Sequence, residues 1–179
     1  MSSLEKKYPY VEVDLSKLRH NIDAVVNMCK EQGISIAGVV KGFNGIPETL
    51  PIYQESGCTS IASSRLEHIE DARNLGLAGP FMLIRIPMLS EVPDLVRLAD
   101  ISLNSEVEVL RAINEECKKQ GKTHKVILMA DLGDLREGFW EVEDLVNAAV
   151  LVENELEHLT LEGVGTNLGC YGSINATPE

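Results

Sequence analysis

The sequence predicts an α/β fold: a parallel, TIM-type (β/α) barrel, carried as one unit over residues 1–179 and holding about six of the eight strands such a barrel needs. Three observations point there. Six short apolar runs alternate with amphipathic helical stretches at short connections, so each crossover is a helix and the strands run one way. Several of those runs are continuous rather than alternating in hydrophobicity, as strands covered on both faces require. No Gly-x-Gly-x-x-Gly follows the first strand, which argues against the competing doubly wound sheet. A full barrel usually takes about 250 residues; this chain has 179, and the barrel is expected to be incomplete by two strands.

Taken in order, Tyr8-Pro-Tyr-Val-Glu-Val-Asp14 alternates like a short half-exposed strand. Leu15, Leu18, Ile22, Val25 and Cys29 then form one helical stripe, which Gly33 stops. The run Ile34-Ser-Ile-Ala-Gly-Val-Val-Lys41 reads as the first barrel strand, buried on both faces. Pro47 suits the first turn of a short helix through Leu50 and Tyr53. Thr59–Ser63 is the second strand. Ser64-Arg-Leu-Glu67 is a capping-box pattern opening a helix that carries Leu66, Ile69, Ala72 and Leu75.

Phe81–Ile86 is the third strand, stopped by Pro87, and a short helix from Val92 to Leu98 leads to the fourth, Ile101–Asn104. A second capping box, Ser105-Glu-Val-Glu108, opens a helix striped by Val107, Leu110, Ile113 and Cys117 and closed by Gly121. Lys125–Asp131 is the fifth strand, followed by a glycine-rich loop through Gly138. A helix from about Glu141 to Asn154 presents Val142, Leu145, Val146 and Ala149. The sixth strand, Leu159–Thr166, runs into Asn167-Leu-Gly-Cys-Tyr171-Gly.

Composition narrows the function classes. The hydrophobic content of 44% supports a sizeable core, and no apolar stretch approaches the ~20 residues of a membrane span, so a soluble, cytosolic protein is expected. The net charge of −12 disfavours a nucleic-acid partner, which needs clustered Lys and Arg. No Lys or Arg follows Arg136, and the acidic segment beyond it reads first as a solvated face; the acidic loop around Asp134 and Glu137 could alternatively favour a cationic substrate. Cys29, Cys58, Cys117 and Cys170, like the four histidines, are scattered without metal-ligand spacing, so no metal site is expected and the thiols read as free.

The residue types that carry chemistry sit at strand ends. Lys41 closes the first strand, at the edge where barrels of this class build active sites. A lysine held against apolar walls loses hydration, and its neutral amine can attack a carbonyl. The plain alternative is a lysine placed where the strand meets water. Arg136 offers fixed planar donors for an oxygen contact, or alternatively pairs at the surface with Glu137 or Asp134.

Three motifs in order, Lys41-Gly-Phe-Asn-Gly45, Ala130-Asp-Leu-Gly-Asp-Leu-Arg136-Glu-Gly138 and Gly163-Val-Gly-Thr166-Asn167, resemble the alanine racemase family of fold-type III pyridoxal-phosphate enzymes. The longer runs Leu132–Gly138 and Gly165–Gly172 are most similar to its ornithine racemase and predicted amino-acid racemase branch. The resemblance implies a pyridoxal-phosphate-dependent amino-acid racemase acting on ornithine or another basic amino acid by α-proton abstraction and return. It implies that Lys41 is the covalent attachment point of pyridoxal phosphate and the acid/base on one face of the substrate. Arg136 then contacts the cofactor's phenolic oxygen, and Asn167 lies beside its pyridine ring, where alanine racemases carry a histidine.

Two departures stand out. The family's phosphate-holding tyrosine, four residues after the lysine, is Gly45 here, and the C-terminal β-domain with the opposing acid/base tyrosine is absent. Tyr171 has no match to that role. The chain is therefore expected to be completed by a missing C-terminal segment or as a homodimer. A non-catalytic pyridoxal-phosphate-binding homeostasis protein and a cofactor-free scaffold are the rival readings.

Overall fold

The computed structural model describes residues 9–169, built as six parallel strands each preceded by a helix. In chain order these are α1 (Leu15–Lys30), β1 (Ala37–Val39), α2 (Leu50–Glu55), β2 (Ser60–Ser63), α3 (Leu66–Asn74), β3 (Phe81–Leu83), α4 (Val92–Leu98), β4 (Ile101–Asn104), α5 (Val107–Gln120), β5 (His124–Ala130), α6 (Val142–Glu155) and β6 (Leu159–Thr166). The strands lie side by side in chain order, β1-β2-β3-β4-β5-β6, all parallel. This is an incomplete barrel.

The register shows the barrel's stagger. Val39, the last residue of β1, pairs with Ala62, Ala62 with Met82, Met82 with Ile101, and Ile101 with Lys125, the second residue of β5. A pairing row that begins at one strand's C-terminus and ends near another's N-terminus reflects strands tilted as in a closed barrel. Alternation then sorts the side chains. Val40, Phe81, Leu83, Val126 and Leu128 point toward the helices and join Leu50, Ile69, Leu95, Leu110 and Ile113 in the main core. Each such fully buried side chain contributes about 1.5–3 kcal/mol through removal of apolar area from water. The residues of the pairing row line the opposite, concave face.

Because β1 and β6 are the edges of this sheet, their surroundings differ from the sequence expectations. The Ile34–Lys41 run is not buried on both faces: only Ala37–Val39 is strand, and Ile34 and Val39 are 55% and 42% exposed, since no strand flanks β1 on its outer side among the described residues. The stripe of α1 likewise contains no fully buried residue. Val164 of β6 is 59% exposed, with no described helix lying over it. The predicted strand at Tyr8–Asp14 does not form over its described part, Pro9–Asp14, which joins none of the six strands of the sheet, and Val11 is 87% exposed. Asp14 instead caps α1, its Oδ1 accepting from Ser16 N (3.0 Å) and Lys17 N (3.1 Å). The Ser16 hydroxyl and these amides hold its carboxyl below the usual range.

Other corrections are local. Neither capping box forms: α3 and α5 begin one residue late, with Arg65 and Glu106 at the N-cap and no side-chain cap. Glu67 is drawn to Arg65 (3.7 Å) instead. In α6 the buried residues are Ala148, Leu151 and Val152, while Val142, Val146 and Val150 face outward. Two apolar stripes compete on that helix, and packing on the sheet selects the one that includes its C-terminal half.

Two features beneath the strand ends are tightly specified. Asn44 (φ 59°) and Gly45 (φ 61°) turn the chain sharply after β1, and a Cβ on Gly45 would lie 2.6 Å from Cγ of His68. His68 is itself buried and bonded through Nδ1 to Ser63 Oγ (2.9 Å), so the ring cannot easily retreat. On β4 and β5, Asn104 Nδ2 donates to Ser102 Oγ (2.9 Å), and Ser102 Oγ is in turn hydrogen-bonded to Nε2 of buried His124 (2.9 Å). Burial pushes the His124 imidazole down to about 4, against smaller opposing pulls from the Ala99 backbone and Asp100.

Gly45→Ala is expected to destabilise the fold by about 2–4 kcal/mol, the sum of a left-handed backbone penalty and a steric one, measured as a drop in urea midpoint. Between pH 6.5 and about 4 the unfolded chain protonates His124 while the folded chain does not. Stability is therefore expected to fall by about 3 kcal/mol as pH is lowered through that window, with no contribution from this group above it. His124→Gln should flatten that part of a urea-midpoint-versus-pH curve.

Candidate functional site

All three sequence-predicted site residues follow the C-terminal ends of strands, where loops of a parallel barrel converge. Lys41 comes two residues after β1. Buried Val40, whose amide donates to Ala62 O (2.9 Å), anchors the start of a 3₁₀ turn over Lys41–Phe43. Gly45 N returns to Val40 O (3.0 Å) and closes that turn, and Phe43 stacks on Tyr53 with ring centroids 6.1 Å apart. Lys41 thus opens the turn that carries the chain off the C-terminal end of β1. Its side chain is exposed and forms no hydrogen bond or ion pair among the described residues. The apolar walls expected around it are thus not supplied by the described strands, because β1 is an edge.

The turn also explains the missing tyrosine. At position 45 any side chain larger than hydrogen meets the His68 ring and adopts a strained φ. Glycine is what this backbone accepts.

Arg136 sits in the loop after β5, a loop bound tightly to its own base. Asp131 Oδ1 accepts from Gly133 N (2.8 Å) and Leu135 N (3.1 Å), and Phe139 returns to β5 through Phe139 N to Met129 O (2.7 Å) and Asp131 N to Phe139 O (3.0 Å). Gly138 permits that return, since a Cβ there would lie 2.3 Å from Asp131 N. On this frame the Arg136 guanidinium donates through Nε to Glu137 Oε2 (2.9 Å) and through Nη2 to Glu137 Oε1 (3.0 Å). Asp134 Oδ2 lies 3.9 Å from Arg136 Nε.

Asn167 follows β6 directly, and Thr166 Oγ1 donates to Ala130 O (2.9 Å), tying the two strand ends together. The Asn167 amide, oriented by its hydrogen bonds, donates through Nδ2 to Glu137 Oε1 (2.7 Å), while Oδ1 accepts from Gly169 N (2.9 Å). Arg136 and Asn167 are therefore brought together through Glu137, whose side chain is only 11% exposed. Lys41 lies along the same edge, four strands away from β5 in sheet order. Tyr171 lies outside the described residues.

The sequence reading takes Glu137 as a surface ion-pair partner of Arg136 or as part of an acidic loop, and does not link it to Asn167. The signal was present: a carboxylate one residue from the arginine, in a loop facing the Asn167 strand end. It also passed over Arg85, which bridges the ends of β2 and β3 by donating to Ser64 O (2.7 Å) and to Glu91 Oε2 (2.7 Å). The Arg85 guanidinium holds the Glu91 carboxyl below the usual range. Six residues separate the pair across Pro87, a spacing no helical or strand pattern marks.

The family described as alanine racemase, N-terminal domain, matches residues 13–179. Ornithine racemase of Acetoanaerobium sticklandii is 40% identical over 168 residues, covering 93% of this chain and 46% of that protein. Lysine racemase of Thermotoga maritima is 33% identical over 172 residues, covering 96% and 47%. The chain thus spans about half the length of the curated relatives it matches. Alanine racemase of Clostridium difficile 630, solved in complex with cycloserine, has the same fold, with a TM-score of 0.75 at 22% identity over 88% of this chain and 43% of that one. The match over residues 13–179 and the 40% identity to an ornithine racemase show that the chain belongs to the alanine racemase N-terminal domain family.

Proposed function

We propose that this chain is the lysine-bearing part of a pyridoxal-phosphate-dependent amino-acid racemase whose substrate is ornithine or another basic amino acid. The observation that carries the reading is a Lys41 amine with no partner among the described residues, at the same end of the sheet as the Arg136 and Asn167 donors, in a chain 40% identical to an ornithine racemase. The donor set fits the cofactor by its chemistry. A primary amine can condense with an aldehyde, and a guanidinium and an amide can hydrogen-bond a phenolic oxygen and the ring.

In that role pyridoxal phosphate would supply the electron sink for the charge left at the substrate α-carbon. Lys41 Nζ holds the cofactor and, on one face, takes up and returns the α-proton. Arg136 stays protonated and presents planar donors toward the cofactor oxygen. Asn167 would offer the cofactor ring a hydrogen-bonding group without a stacking surface.

The substrate assignment rests on the ornithine and lysine racemases among the relatives rather than on the acidic loop. Asp134 and Glu137 are turned toward Arg136, so their charge is largely engaged within the loop. The open edges at β1 and β6 favour completion by further strands or by a second subunit, which would also bring the opposing acid/base.

Titration with pyridoxal phosphate is expected to give a new absorbance band that Lys41→Ala abolishes. In the complete gene product, D/L interconversion assayed over ornithine, lysine, arginine, alanine and serine should be fastest with a basic amino acid and fall about 100-fold or more in Lys41→Ala. Cofactor binding without racemisation of any amino acid would favour the non-catalytic cofactor carrier, and no band would favour the scaffold.

A further inference from the structure

We infer that Glu137 is a positioning residue of this site, clamping the Arg136 guanidinium and the Asn167 amide into one fixed constellation. The inference rests on the racemase reading for what Arg136 and Asn167 do. It stands on geometry. Both carboxylate oxygens accept from one guanidinium, Oε2 from Nε at 2.9 Å and Oε1 from Nη2 at 3.0 Å, the fork arrangement that adds orientation as well as attraction. Oε1 also accepts from Asn167 Nδ2 at 2.7 Å, so one carboxylate spans the loop after β5 and the residue after β6, 30 positions apart.

A surface ion pair would not deserve this reading, because water screens it and side-chain entropy offsets it. Glu137 is different in burial and in mounting. Its side chain is 11% exposed, and it projects from a loop locked by Asp131 and by the return of Phe139 onto β5. Gly138, immediately after it, holds φ 133°, where a side chain would strike the Asp131 backbone. The carboxylate is thus fixed in space before it engages either donor.

The consequence is electrostatic as well as geometric. Arg136 keeps its charge but directs it along a set plane, with Glu137 and Asp134 offsetting part of it. Without the carboxylate the guanidinium gains rotamer freedom and Asn167 loses an acceptor. Both donors would then have to be ordered at each turnover, a cost that shows in kcat rather than in KM.

The test uses the complete holoenzyme. Glu137→Gln keeps the shape but can accept through only one of its two terminal atoms. It is expected to lower kcat about tenfold, to leave KM within about twofold, and to shift the pH midpoint of the cofactor absorbance band. In an Arg136→Lys background, which already lacks the fork, the same change should lower kcat by less than about twofold, because the two residues act as a unit. Should Glu137→Gln fail to fold, Glu137→Asp, with its carboxylate drawn back by one methylene, undergoes the same measurements with an intermediate loss expected. Unchanged kcat and band, a lowered melting temperature alone, or additive losses in the double variant would overturn the positioning role and leave the racemase reading standing. Absence of any cofactor band in the wild type would overturn that reading and the positioning role with it.

Discussion

A parallel sheet must be covered on both faces, and this requirement shapes every part of the molecule. The helices cover the convex face, where Phe81, Leu83, Val126 and Leu128 meet Ile69, Leu95, Leu110 and Ile113. On the concave face the staggered row from Val39 to Lys125 runs across five strands of a sheet that has only six among the described residues. The unmet part of the requirement falls on the two edges. It is visible as the exposed Val39 and Ile34 at β1, Val164 at β6 and the outward valines of α6.

The same constraint divides the candidate site into two parts of different character. The β5–β6 side is self-contained: its loop is bonded to its own base, and Thr166, Glu137 and Asn167 stitch the two strand ends together. The β1 side is a single turn anchored by Val40 and moulded on His68, with the Lys41 amine projecting from an edge. An arginine held in a carboxylate fork has its direction set in advance, whereas a lysine on four flexible carbons takes its environment from whatever surrounds it. Under the racemase reading we propose, these two behaviours are complementary: the fixed donors would orient the cofactor and the flexible lysine chain would carry the amine that moves the proton.

Much of the fold was legible because hydrophobic period and helix stops are local. The helix Val92–Leu98 and the strands Ile101–Asn104 and Leu159–Thr166 coincide with their predicted limits, and Leu110, Ile113 and Cys117 are buried as their spacing indicated. Three of the differences share a cause. Burial of the Lys41 strand on both faces, burial of the α1 stripe and a strand at Tyr8–Asp14 all presupposed neighbours that the described residues do not provide. The capping boxes failed because a serine-to-glutamate spacing does not by itself decide where a helix starts.

The sequence by itself determined the alternation of strands and helices, the placement of Lys41, Arg136 and Asn167 at strand ends, and the absence of a tyrosine at position 45. These are properties of local pattern and of residue identity. Only the tertiary structure decided that His68 packs where a side chain on residue 45 would go, that Glu137 joins Arg136 to Asn167, and that His124 is buried against Ser102. Each of those arrangements brings together residues from different elements of the chain. Their meeting depends on the stagger of the sheet, which sums the register of every pair of strands and has no signature in any one segment.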